Sequence, residues 1–89
     1  MNSRTIEDFW EFYRALPERL RKQAQTAYRT FASDPFHPSL NFKEVDKRRN
    51  LLSARVTRGY RVLGYREGDT ITWIWIGTHA EYDKLIKGL

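Results

Sequence analysis

The sequence predicts an α+β fold: an N-terminal two-helix hairpin packed on a mostly antiparallel four-stranded sheet, followed by a short C-terminal helix. Three observations lead there. Apolar residues recur at helical spacing from Ile6 to Phe31. After Asn41 the chain changes to short runs of branched and aromatic residues separated by turn residues. The last run ends in Gly77 and Thr78, with Glu81 three residues further on, a helix-start pattern.

Thr5 and Asp8 form a weaker version of the same capping box ahead of the first helix. Ile6, Phe9, Trp10, Tyr13 and Leu16 make its apolar stripe, and Trp10 is expected in the core. Pro17 suits a first-turn position, so the second helix is expected to start there. Leu20, Ala24, Ala27, Tyr28 and Phe31 form its stripe, with Arg19, Arg21, Lys22 and Arg29 on the wetter side. The two prolines of "ASDPFHPSL" end that helix, and His37 reads as a loop residue.

Four strands are then expected over "NFKEV", "LLSARV", "YRVLGY" and "TITWIWI". "DKRRN" and "EGD" are turns. "TRG" reads as a three-residue hairpin loop with Gly59 in the left-handed position. That loop sets Arg55 opposite Arg61. Alternation then puts Leu52, Ala54, Val56, Tyr60, Val62, Gly64, Ile71, Trp73 and Trp75 on one face. This apolar face is expected to pack on the helices. The other face carries Ser53, Arg55, Arg61, Leu63, Tyr65, Thr70, Thr72, Ile74 and Ile76, and reads as a half-open binding surface.

Length and composition bound the function. The 89 residues make one domain, 1–89, with 40% hydrophobic and 15% aromatic residues, enough for one compact core. Without Cys there is no disulfide framework or thiolate metal site. No signal peptide and no apolar run long enough for a membrane span are seen. A cytoplasmic protein is expected, with no membrane partner. Net charge is +5. Between Lys43 and Arg66, eight basic residues stand against Glu44 and Asp46. Such clustering fits a nucleic-acid binder, and equally a solvated surface or a dock for an acidic protein.

The order of two helices, a basic sheet with "SARVTRGYRVLGY" and a final "WIGTHAEYDKL" resembles the RelE/ParE superfamily of small bacterial toxins. The "GTH" of Gly77, Thr78 and His79 is similar to its HigB-like and YafQ-like branches. Many members begin with a strand, and here only "MNSR" precedes the first helix. The resemblance implies a type II toxin held inactive by a cognate antitoxin. In the RNase branch such a toxin cuts mRNA, usually on the ribosome. The 2′-hydroxyl attacks the adjacent phosphate, leaving a cyclic phosphate and a free 5′-hydroxyl. The ParE branch instead poisons DNA gyrase and lacks the catalytic set. A non-toxic basic binding module of the same fold is a further alternative.

In-line cleavage needs a base, an acid and cations on the phosphorane; Arg and Lys can supply the charge without a metal or other cofactor. His79 stands at the "GTH" position, and histidines titrate near neutrality. Arg61 matches the strand arginine that faces phosphate in RNase-type relatives. Arg55 beside it hints at a shared anion. Tyr82 and Asp83, three and four residues past His79, fall near its helix face; Tyr82 equally suits an anchor to the core. Lys43, Lys47, Arg48, Arg49 and Arg58 read as RNA-backbone or ribosome contacts, which add affinity without choosing a sequence. Trp73 and Trp75 read as core.

Overall fold

The computed structural model describes every residue from Met1 to Leu89. The elements in order are β1 (Asn2–Thr5), α1 (Glu7–Arg14), α2 (Glu18–Ser33), a 3-10 turn (Pro38–Leu40), β2 (Lys43–Asp46), β3 (Leu51–Thr57), β4 (Tyr60–Glu67), β5 (Thr70–Thr78) and α3 (His79–Lys87). The strands lie in the order β1-β5-β4-β3-β2. Strands β2 to β5 pair antiparallel, whereas β1 runs parallel to β5.

The sheet is therefore five-stranded and mixed, which corrects the four-stranded expectation. The extra strand, "NSRT", is short and polar and carries no strand signal of its own. It forms because β5 has an open edge of unpaired backbone groups. The Asn2 N–H donates to the Asp69 carbonyl at 2.8 Å and the Ile6 N–H to that of Trp73 at 3.3 Å.

This strand also displaces the expected first capping box. Thr5 ends β1, Ile6 takes the N-cap position without a side-chain bond, and Thr5 Oγ1 accepts from Trp10 Nε1 at 3.1 Å. Trp10 is 42% exposed rather than core. Its ring stands edge-on to Phe9 and Tyr13, with the outer face in water. Pro17 precedes α2 as its N-cap, one position earlier than expected. Phe9, Leu16, Leu20 and Phe31 are buried against Leu40, Ala54, Ile71, Trp73 and Ile76. Each leucine, isoleucine or phenylalanine among them, fully buried, contributes about 1.5–3 kcal/mol.

Two irregularities set which residues face which layer. In the β3–β4 hairpin Arg55 does pair with Arg61, as expected, but Thr57 pairs with Tyr60. Val56 is the extra, bulged residue, the turn contains only Arg58 and Gly59, and Gly59 is not left-handed. Gly68 is, with φ +60° in the next turn, where the missing Cβ removes the strain. In β5, Leu63 pairs with Trp75 and Gly64 with Trp73, leaving Ile74 as a bulge. Beyond it the faces exchange. Trp73 and Ile76 pack under the helices, and Trp75 packs with Leu51, Leu63 and Tyr82 on the opposite side. The expected placement of Trp75 and Ile76 is thus reversed.

Gly64 sits at that bulge because a Cβ there would lie 2.8 Å from Trp73 Cε3 and 2.9 Å from the Thr72 carbonyl oxygen. The second capping box forms as expected. Thr78 Oγ1 accepts from the Glu81 N–H at 3.2 Å, and Glu81 Oε1 accepts from the Thr78 N–H at 3.1 Å. The His79 N–H donates to the Gly59 carbonyl at 2.8 Å, which fastens the start of α3 to the β3–β4 turn.

Two measurements test this architecture. Gly64→Ala, with rigid backbone on one side of the added methyl, is expected to lower stability in urea by about 1–3 kcal/mol. The bonds from Thr78 hold the Glu81 carboxyl below its usual range. A depressed carboxyl stabilises above its unfolded value and loses that contribution as pH falls through its folded one. Amide-exchange protection of α3 should therefore hold from neutrality down to about pH 5 and fall in more acid solution. In Glu81→Gln that acid-dependent component should shrink.

Candidate functional site

The face of the sheet away from α1 and α2 is partly covered by α3. Arg61, in the central strand β4, projects onto this face with Leu63, and β3 sets Ser53 and Arg55 there beside them. Arg61 is 3% exposed. Its Nη2 donates to Ser53 Oγ at 2.6 Å and reaches the Asn41 carbonyl at 3.5 Å. Its Nε is buried with no partner, and Nη1 makes no hydrogen bond to the protein.

No carboxylate forms an ion pair with this guanidinium; the ion pairs of the chain are Lys22–Glu18, Arg49–Asp46 and His79–Asp83. Burial holds the Arg61 pKa below its ordinary value, partly opposed by neighbouring Tyr82, with Arg55 lowering it further. Starting so high, it stays cationic at neutral pH.

Tyr82 explains how α3 meets this group. Its ring lies 5.2 Å from Arg61 Cζ, a cation–π arrangement. Its hydroxyl lies 3.1 Å from Ser53 Oγ, and Leu51 and Leu63 complete its pocket. One turn back, His79 stands edge-on to the Tyr82 ring with centroids 5.6 Å apart. His79 Nδ1 lies 3.1 Å from Asp83 Oδ2, an i, i+4 pair on α3. A carboxylate only accepts, so Nδ1 carries the proton of this bond and Nε2 is free. The His79 side chain is 47% exposed, and Nε2 makes no hydrogen bond to the protein.

The residues singled out in the sequence divide into two groups. Arg61, His79, Tyr82 and Asp83 are linked through the Tyr82 ring. Arg55 is opposite Arg61, Arg58 lies in the turn that holds the start of α3, and Lys43 is opposite Ser53. These three cations are exposed and rim the cluster. Lys47 and Arg48 do not join them. They lie in the turn before Leu51, ~13 Å along the strand from the row of Arg55 and Arg61. In the same turn Arg49 is paired with Asp46, whose carboxyl it holds below its usual range. Ser53, at the centre of the cluster, was placed on this face by strand parity, but a lone Ser carries no sequence signal for such a contact. His37 is a loop residue: its ring nitrogen accepts from the Ser39 N–H at 3.1 Å.

A cavity of about 560 Å³ lies on the other face, between the helices and the sheet. Phe9, Tyr13, Phe31, Trp73 and Ile76 make its lining mostly apolar, with Arg4, Gln25 and Arg29 among its polar members. No three His, Asp or Glu side chains gather to hold a metal ion. No helix is long and apolar enough to cross a membrane.

Solved structures share this architecture. A chain of the RelB–RelE antitoxin–toxin complex from Methanococcus jannaschii superposes with TM-score 0.73 at 16% identity, covering 92% of this chain and 96% of that one. YafQ from E. coli gives 0.71 at 9%, covering 91% and 96%. The YoeB/ParE toxin from Agrobacterium tumefaciens gives 0.67 at 18%, covering 89% and 99%. At such identities the likeness is one of fold. No functionally curated protein matches the chain by sequence. The model of the ParE-like toxin domain matches residues 18–84, from the start of α2 through most of α3. With that match across the helix, the basic sheet and the capped α3, the chain belongs to the ParE-like toxin domain family of the RelE/ParE superfamily.

Proposed function

We propose that this toxin is a metal-independent mRNA endoribonuclease, acting in the cytoplasm on ribosome-bound message and restrained by a cognate antitoxin. The observation that carries this reading is the buried Arg61 guanidinium, held by a hydroxyl and an aromatic ring and left without a carboxylate. A buried cation is stabilised by an anion, and the exposed cations at its rim would draw a polyanion. Nη1 is the free donor for a phosphate oxygen.

The chemistry follows from the geometry. The phosphodiester rests against Arg61, with Arg55, Arg58 and Lys43 on neighbouring phosphates. Asp83 orients the His79 ring, and Nε2 takes the proton of the 2′-hydroxyl. The 2′-oxygen forms a bond to phosphorus as the bond to the 5′-oxygen breaks. Arg61 stabilises the charge that builds on the phosphoryl oxygens. The leaving 5′-oxygen takes a proton from solvent, because the Tyr82 phenol is turned inward to Ser53. The products are a 2′,3′-cyclic phosphate and a free 5′-hydroxyl. Tyr82 contributes its ring face to the guanidinium. Lys47 and Arg48, further along the strand, would meet a longer RNA or the ribosome.

The antitoxin assignment draws on the RelB–RelE complexes among the structural neighbours. A second reading, a ParE-like poison of DNA gyrase, is favoured by the family description itself. It would leave the His79–Asp83 pair idle. Arrested cells with intact mRNA and DNA-damage signalling would select it.

Expression of the wild-type chain is expected to arrest bacterial growth with cleaved mRNA carrying cyclic-phosphate ends. His79→Ala should slow cleavage about 10²–10⁴-fold, and Arg61→Ala about 10²–10³-fold, with the fold checked by circular dichroism. Full toxicity in both folded variants would discard the nuclease reading. For RNA binding, replacing Lys43, Arg55 or Arg58 by Ala should each reduce the salt slope of log K by about 1. Lys47→Ala and Arg48→Ala should change the affinity for a dinucleotide-sized RNA little.

A further inference from the structure

The oxygen between the guanidinium and the phenol belongs to a residue with no part in the reaction as drawn. Ser53 is wholly buried in β3, opposite Leu63 of β4 and Lys43 of β2. Its Oγ lies 2.6 Å from Arg61 Nη2 and 3.1 Å from the Tyr82 hydroxyl. We infer that Ser53 is the positioning residue of this site: it fixes the Arg61 guanidinium so that Nη1 faces the substrate phosphate. The inference rests on the nuclease reading for its consequence, not for its geometry.

An arginine side chain has several rotatable bonds and loses much freedom when held. Here Nε has no partner and the Asn41 carbonyl is 3.5 Å away. The short charge-assisted bond to Ser53 is therefore the one strong polar restraint on the group. It comes from the middle of a strand paired on both sides, so the oxygen cannot follow a moving guanidinium. The same oxygen also restrains Tyr82. The Tyr82 hydroxyl donates to it at 3.1 Å, so Ser53 accepts from both side chains. That bond keeps the phenol inward and the ring face against Cζ. Rotated away, the guanidinium would offer its charge without its direction, and a transition state needs the direction. A serine that was merely a satisfied core hydroxyl would affect stability alone.

The test uses the whole chain. In protein labelled with ¹⁵N-arginine, the restrained Arg61 should give separate Nη signals that merge by rotation in Ser53→Ala, while the backbone amide spectrum is retained. In ribosome-programmed RNA cleavage at saturating RNA, Ser53→Ala should be slower by about tenfold or more, the loss expected when a charged donor loses its bond. On an Arg61→Lys background the same change should cost little further, because the group it positions is gone. Ser53→Cys, close in size but a weak acceptor, should repeat the NMR result and decides the matter if the alanine variant does not fold. Separate Nη signals persisting in the variants overturn the inference, as does unchanged cleavage or an equal loss in both backgrounds. If the wild-type chain cuts no RNA, the nuclease reading fails by itself and the NMR comparison still decides for or against Ser53.

Discussion

A guanidinium inside the protein, without a carboxylate, is the constraint around which this molecule is arranged. Withdrawing an unpaired charge from water costs several kcal/mol even after relaxation. The net stability of a small domain is only about 5–15 kcal/mol. Arg61 is nonetheless 3% exposed. The serine oxygen, the tyrosine ring and a distant carbonyl offset part of that cost, and one nitrogen remains unsatisfied. Two carboxyl groups, Asp83 and Glu81, lie on α3, yet each is engaged elsewhere, with His79 and Thr78. The site keeps its cation unneutralised, which is the state that suits an incoming anion.

The fold makes this arrangement affordable by separating two layers of packing. The core under α1 and α2 contains Phe31, Ile71 and Trp73 and stands apart from α3. The opposite face needs only a small cluster around Leu51, Leu63 and Tyr82 to seat α3. That helix is short, and it is placed by its start: the reciprocal Thr78–Glu81 bonds and the bond from His79 to Gly59. The capping that begins the helix therefore also locates His79, while Tyr82 one turn later locates the ring against Arg61. Structure and site share the same few bonds.

Much of this was legible in the chain. The helical hairpin, four of the five strands and the second capping box follow from periodicity and turn chemistry, which act over a few residues. The Arg55–Arg61 register was also right, although a bulge at Val56 produces it rather than a left-handed Gly59. The failures have a common cause. "NSRT" becomes a strand because β5 needs an edge partner. Trp10 stays in water because the rim of α1 has nothing above it. Trp75 and Ile76 change faces because Ile74 bulges beside Gly64. Lys43, Lys47, Arg48, Arg49 and Arg58 looked equivalent, whereas pairing brings Lys43 to Ser53 and leaves Lys47 and Arg48 in a distant turn.

By itself the sequence determined the three helices and four of the strands, which strand residues share a face up to Trp73, and that cations gather on the sheet. Those properties come from nearest-neighbour energetics, which each segment carries with it. Only the tertiary structure decided that Arg61 is the buried cation among many exposed ones, and that Ser53 and Tyr82, 29 positions apart, close on it. Desolvation depends on every group that packs around a charge, and most of those groups arrive from other elements of the chain.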